Sequence, residues 1–231
     1  SILDLENITV DDVMVPRSDI QGIDLNDEWD EVLRQIQTSQ HTRLPLYRDS
    51  LDNILGIIHL RKVISDLAHQ RLTPEALENA ARDPYFVPEG TPLNTQLLNF
   101  QRQSRRFGVV VDEYGDIQGL VTLADILEEI VGEIADEYDD GVEAFTWISD
   151  KKARAKATMH VEDLADALGI EIDREEYEDV DTIGGYMAEK LGRVPIAGST
   201  IDLQGWSVTS ERPIGRRRRI SSVIIERAEK E

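Results

Sequence analysis

One layout occurs twice in this chain. Gly108 to Ile130 reads GVVVDEYGDIQGLVTLADILEEI. Val109 to Val111 is a short β-branched run, Asp112 to Asp116 with Gly115 is a polar turn, and Ile117 to Val121 is a second apolar run. Leu123, Ile126, Leu127 and Ile130 then recur at helical spacing. The expectation is strand, turn, strand, helix. Leu44 to Ile64 lies over this stretch without a gap. Asp49 falls on Asp112, Ile54 on Ile117, Gly56 on Gly119, Leu60 on Leu123 and Ile64 on Leu127. Upstream, Val15-Pro16 echoes Val87-Pro88. A unit this small cannot bury its own sheet face, so two copies in tandem are expected to share a core.

The repeats divide the chain. Residues 1–8 are a lead-in, 9–67 the first repeat, 68–81 a connector, 82–133 the second repeat, 134–144 an acidic linker and 145–231 a further α+β domain. In the first repeat, Asp11 or Asp12 caps a short turn, Ile20 to Ile23 is a strand, and Trp29, Val32, Leu33 and Ile36 mark an amphipathic helix. The connector turns helical after Thr73-Pro74. The second repeat opens with a strand at Tyr85 to Val87 and a helix from Pro92 to about Gln103. The last domain reads as a hairpin at Trp147 and Ala153 to Thr158, then a helix with Val161, Leu164, Ala165 and Leu168. A second helix runs from Thr182 to Leu191 with Asp181 or Thr182 as N-cap and Gly192 as C-cap, and strands follow at Thr200 to Leu203, Trp206 to Thr209 and Arg219 to Ile225.

At 231 residues there is room for two modest domains with real cores. The chain has no cysteine, so neither a disulfide framework nor a thiolate metal site is available. No apolar run approaches the roughly 20 residues of a membrane helix, and no signal peptide opens the chain. A soluble, cytoplasmic location is expected. The net charge is −21, from 25 basic and 46 acidic residues, which excludes nonspecific nucleic-acid binding. Residues 107–150 carry 13 carboxylates and no Lys or Arg. Such a stretch repels free nucleotide and attracts divalent cations.

Three separated motifs carry a resemblance: Asp12-Val-Met-Val-Pro-Arg17, Val111-Asp-Glu-Tyr-Gly115, and the run from Gly119 to Ile134. Two such units, the second carrying Gly-Leu-Val-Thr-Leu-Ala-Asp, resemble a CBS-domain pair (a Bateman module). The wording is similar to the CorC/HlyC family, linked to magnesium and cobalt transport and related to the CNNM proteins. Asp181 to Pro195 resembles that family's transporter-associated domain. The resemblance implies an α+β fold: a tandem CBS pair followed by a small α+β transporter-associated domain.

It also implies a site. The Asp125 position takes ribose hydroxyls in nucleotide-binding CBS domains, and the Thr122 position contacts ribose or phosphate. The chemistry fits, because a carboxylate accepts both protons of a cis-diol and a helix N-terminus favours phosphate. The same two residues also suit a plain capping box, with Thr122 at the N-cap and an acid three residues on. In the first repeat His59 and Lys62 stand at these places. A lysine cannot accept from ribose, so one competent site per chain is expected. Arg43 matches an arginine that reaches phosphate in relatives, and Arg105 and Arg106 hold the equivalent place in the second repeat. Arg106, Phe107, Tyr85, Phe86 and Val87 are the expected border of the adenine. The carboxylates from Glu128 to Asp140 lack calcium-loop spacing and read as a solvated helix and linker. Arg216 to Arg219 read as a basic turn, and Gly184-Gly185 as a point of close helix packing. No catalytic constellation is present.

The function implied is that of a regulatory, non-enzymatic module. It takes AMP, ADP or ATP, the last with or without Mg²⁺, between its repeats. It forms a homodimer through the CBS pair and biases a membrane transport domain, which in this family often lies upstream in the same full-length chain. That places it in the cytoplasm at the inner face of the plasma membrane. The alternative is a ligand-free interaction scaffold.

Overall fold

The computed structural model describes residues 7–135, 143–212 and 220–228. It divides into two compact units that cut across the repeats: Met14–Glu89 with Gly108–Val121, and Ser1–Val13 with Gly90–Phe107 and Thr122–Glu231.

The first unit holds two sheets. One runs β2 (Ile23–Asp24), β3 (Arg43–Arg48), β4 (Ser50–His59). The other runs β1 (Val15–Pro16), β7 (Ile117–Thr122), β6 (Phe107–Val111), β5 (Phe86–Pro88). Helices α2 (Trp29–Thr38), α3 (Leu60–Ala68) and α4 (Pro74–Ala80) accompany the first sheet. Their apolar faces meet it in a core of Ile23, Val32, Leu46, Ile58, Val63 and Leu77. The hairpin turn of the second repeat forms as expected. Asp112 Oδ1 accepts from Tyr114 N and Asp116 N at 3.0 and 2.8 Å, and Gly115 takes φ +82°. Thr73 Oγ1 caps α4, accepting from Ala76 N.

The pairings reveal where the repeat begins. β2 pairs parallel with β3, Ile23 against Leu46; β5 pairs parallel with β6, Phe86 against Val109. The offset that puts Asp49 on Asp112 therefore also puts Ile23 on Phe86. The echo between Val15-Pro16 and Val87-Pro88 is not structural. β1 instead lies antiparallel on β7, with Pro16 against Gly119. A two-residue match holds no register information, so nothing local could reveal this. The expected strand at Ile20 to Ile23 is likewise shorter: a 3₁₀ turn occupies Arg17–Asp19 and extended pairing starts only at Ile23.

Each repeat thus receives a segment from ahead of the other. β1 lies on β7 of the second repeat, and Arg82 pairs with Ile57 in β4 of the first through Ile57 N to Arg82 O (2.8 Å) and Arg82 N to Ile57 O (2.9 Å). The matched glycines make room for both. A Cβ at Gly56 would sit 2.7 Å from the Arg82 carbonyl oxygen, and one at Gly119 would strike Val15 O and Met14 Sδ. Arg17 fastens the exchange: its fork grips Asp52 at 2.7 and 3.0 Å, and Nη1 donates to Ile117 O at 3.2 Å.

The second unit contains α1 (Val10–Val13), α5 (Leu93–Gln103), α6 (Leu123–Ala135) and the C-terminal domain. At α1 the cap position is Thr9, and Asp12 Oδ2 reaches back to accept from Thr9 N at 2.9 Å. The C-terminal domain is an antiparallel sheet of β8 (Phe145–Ser149), β9 (Lys152–Lys156), β10 (Thr200–Leu203), β11 (Trp206–Ser210) and β12 (Ser222–Arg227), in the order β10-β11-β12-β9-β8. It carries α7 (Val161–Leu168), α8 (Arg174–Tyr177) and α9 (Ile183–Leu191). Thr182 Oγ1 caps α9 from Gly185 N, and Gly192 closes it in the left-handed region. Helix α9 packs on α5, α6, α7 and β10. Gly185 lies against Val180, Thr182 and Leu127, and Gly192 against Leu98 and Gln101. Arg216 to Arg219 and Asp136 to Asp140 lie outside the described residues.

Candidate functional site

The junction between β7 and α6 is where the expected polar pair sits. Helix α6 starts at Leu123, so its first N–H groups have no partner within the helix. Thr122 and Asp125 satisfy them reciprocally. Asp125 N donates to Thr122 Oγ1 at 3.1 Å, and Thr122 N donates to Asp125 Oδ2 at 3.1 Å. This is a complete capping box. It uses the hydroxyl as an acceptor and one carboxylate oxygen, so the hydroxyl proton and Oδ1 remain as hydrogen-bonding capacity. Both side chains are half-buried.

The first repeat caps its helix differently. His59 Nδ1 accepts from Arg61 N at 3.2 Å, and Lys62 is exposed. The imidazole does the work of the threonine, and no carboxylate stands in the Asp125 place.

Arg106 adjoins the second-repeat junction directly, because its carbonyl oxygen accepts from Leu123 N at 2.8 Å. Its guanidinium, however, is held by the C-terminal domain. Nη1 donates to Glu175 O at 2.9 Å and pairs with Asp179 Oδ2 at 3.4 Å. Nη2 donates to Glu176 O at 3.1 Å and pairs with Glu189 Oε1 at 2.8 Å. The Arg106 side chain is 20% exposed, that of Asp179 15% and that of Glu189 14%. Burial holds the Glu189 carboxyl above its usual range, outweighing the pull of Arg106 and Lys190. Tyr186, whose hydroxyl reaches Glu176 at 3.3 Å, is pushed up by burial and by that carboxylate. Sequence reasoning missed α8 and this grip. Only the carboxylates of a short acidic segment signal it, and they pair with a residue some seventy positions away.

Phe107 opens β6 in the same unit and is half-buried. The other expected residues lie in the first unit. Tyr85 O accepts from Val109 N at 2.8 Å, ahead of β5. In β5 the pattern alternates: Phe86 is 50% exposed and Val87 1%. Val87 is a core side chain, so only its backbone can meet a ligand. Arg43 opens β3 opposite His59. Among the described residues no group of three or more His, Asp or Glu converges as a metal site, and no helix is long and apolar enough to cross a membrane.

Comparison with known proteins adds the context. A CBS-domain model matches residues 10–69 and 77–132, and the CorC_HlyC transporter associated domain matches residues 147–229. The magnesium and cobalt efflux protein CorC of Salmonella typhimurium is 36% identical over 208 residues, 89% of this chain and 69% of that protein. The UPF0053 inner membrane protein YfjD of Escherichia coli is 42% identical over 210 residues, 90% of this chain but 48% of its own length. The chain thus spans about half of such longer relatives. Among solved structures, a CBS-domain pair with bound AMP from Klebsiella pneumoniae is 53% identical with a TM-score of 0.52, covering 54% of this chain and 99% of that one. The CBS domain of a bacterial CNNM/CorC family Mg²⁺ transporter in complex with ATP is 33% identical with a TM-score of 0.51, covering 57% and 92%.

Proposed function

From the premise that this chain belongs to the CorC/HlyC family, with a CBS-domain pair and a transporter-associated domain, we propose that it is the regulatory, non-catalytic part of a magnesium or cobalt transport protein. It senses AMP, ADP or ATP through the CBS pair, at one site whose ribose-binding residues lie in the second repeat. The observation that carries this reading is the Thr122–Asp125 pair at the start of α6. It offers a hydroxyl proton and a carboxylate oxygen at the end of a helix whose dipole favours phosphate.

The likeness to CBS pairs holding AMP and ATP supports an adenine nucleotide as the ligand. Asp125 receives the ribose diol and Thr122 the ribose or phosphate. Arg43, Tyr85, Phe86, Val87, Arg106 and Phe107 are further proposed contacts, Val87 through its backbone. Mg²⁺ accompanies ATP and lowers its charge toward an acid-rich chain. A homodimer formed through the CBS pair passes the signal to a membrane transport domain, at the cytoplasmic face of the plasma membrane. Nucleotide shifts that domain only by the difference in its affinity for the two arrangements. The module comprises repeats at 9–67 and 82–133 and a C-terminal domain at 145–231.

One observation favours a ligand-free scaffold instead: Thr122 and Asp125 already have a structural task, each side chain accepting from the other's backbone N–H. Calorimetric titration of AMP, ADP and ATP, with and without Mg²⁺, separates the two. The sensor binds about one nucleotide per chain, and Asp125→Ala weakens it at least about 30-fold, as expected when a charged acceptor of two hydroxyls is lost. Absence of binding by all three nucleotides leaves the pair as a helix cap.

A further inference from the structure

Both terminal nitrogens of Arg106 are engaged, and their partners belong to a different domain from its backbone. Its carbonyl oxygen is bonded to Leu123 N, the first helical residue after Thr122. Its fork is filled by two carbonyls of α8, by Asp179 and by Glu189. An arginine presents a planar set of donors that matches carboxylate and phosphate oxygens alike. Asp179 and Glu189 therefore occupy the guanidinium with the same chemistry that a nucleotide phosphate would use. A phosphate that takes either terminal nitrogen has to displace one of these carboxylates.

We propose that the C-terminal domain regulates the nucleotide site by withholding Arg106. With the domain latched, Asp179 and Glu189 keep the guanidinium from the phosphates of a nucleotide whose ribose is held by Asp125. Nucleotide and latch compete for one arginine, so each weakens the other by the same factor. ATP, with the most phosphate charge, competes best and AMP least. This rests on the nucleotide-sensor reading and names its regulation.

Two measurements on the whole 231-residue chain test it. The first is amide hydrogen exchange of residues 174–191 in the unaltered protein, with and without saturating ATP. Faster exchange in this segment on adding ATP is expected, with a smaller effect for AMP. The second is calorimetry on Glu189→Lys, which sets a like charge against Arg106 and expels it. ATP affinity is expected to rise about tenfold, the worth of one charge-assisted contact, and Arg106→Gln added to that variant should abolish the gain. Should Glu189→Lys fail to fold by circular dichroism, the exchange experiment decides alone. ATP that binds while leaving residues 174–191 unchanged, or protecting them, overturns the latch and leaves the sensor standing. No nucleotide binding at all removes the sensor and the latch together.

Discussion

Gly119 shows how much a single side chain can decide. Its Cα lies under the backbone of β1, and a methyl group there meets the Val15 carbonyl and the Met14 sulfur, one of them rigid main chain. Relief requires β1 to leave β7, which also strains the Arg17 fork on Asp52 and Ile117. Gly119→Ala is therefore expected to destabilise the protein by about 2–3 kcal/mol, typical of overpacking against an unyielding neighbour. Gly56→Ala should act in the same direction through Arg82. Urea denaturation followed by circular dichroism measures both. A loss below about 0.5 kcal/mol at Gly119 would mean that β1 does not hold its place on β7.

At the scale of elements, two glutamates in the C-terminal domain carry opposite pH signatures. Burial raises Glu211, but Arg154 and Ser222 outweigh it. Arg154 forks onto both oxygens at 2.9 Å, Ser222 Oγ donates at 2.6 Å, and the carboxyl is held below its ordinary value. A lowered pKa contributes stability above the unfolded value and loses it as pH falls through the folded one. Burial leaves Glu189 raised despite Arg106, so its contribution is present in acid and is lost as pH rises through its folded value. Glu211→Gln should then be near neutral in strong acid and destabilising by about 0.5–1 kcal/mol at pH 7, a discounted figure because Arg154 is half exposed. Glu189→Gln should be near neutral below the ordinary glutamate range and stabilising at pH 7. Melts of the two variants across pH 3 to 8 read both, and parallel trends would contradict the two environments. What made most elements legible in the sequence was their locality. Thr73, Thr182, Gly192 and the Asp112 turn each act within a few residues, so their letters sufficed. The crossing of β1 onto β7 joins residues about one hundred positions apart, and the hold of α8 on Arg106 joins residues about seventy apart. Their energy lies in pairing, and no local pattern of letters records it. Thr122 and Asp125 were readable as a pair because a capping box and a ribose site ask for the same two residue types.

The whole molecule is an anion that, on the proposed reading, binds an anion. A charge of −21 repels free ATP at long range, while Thr122, Asp125 and the proposed arginine contacts act at short range. Salt separates the two ranges. Raising ionic strength shortens the screening length from about 20 Å near 20 mM to below about 6 Å near 300 mM. That removes the global repulsion and leaves close contacts largely intact. ATP affinity should therefore rise about two- to threefold over this range, and AMP affinity should rise less because AMP carries less charge. Mg²⁺ should mimic the effect of salt for ATP at far lower concentration, by neutralising charge on the ligand itself. Titrations at fixed pH across KCl concentrations, with and without Mg²⁺, give the slope for each nucleotide. Affinity that falls with salt for all three would place the balance with exposed cationic contacts, as in a conventional phosphate site, and would make the net charge irrelevant to sensing. A rise that is steepest for ATP and vanishes once Mg²⁺ is bound would mean that the acidity of the chain sets how strongly its response depends on the metal.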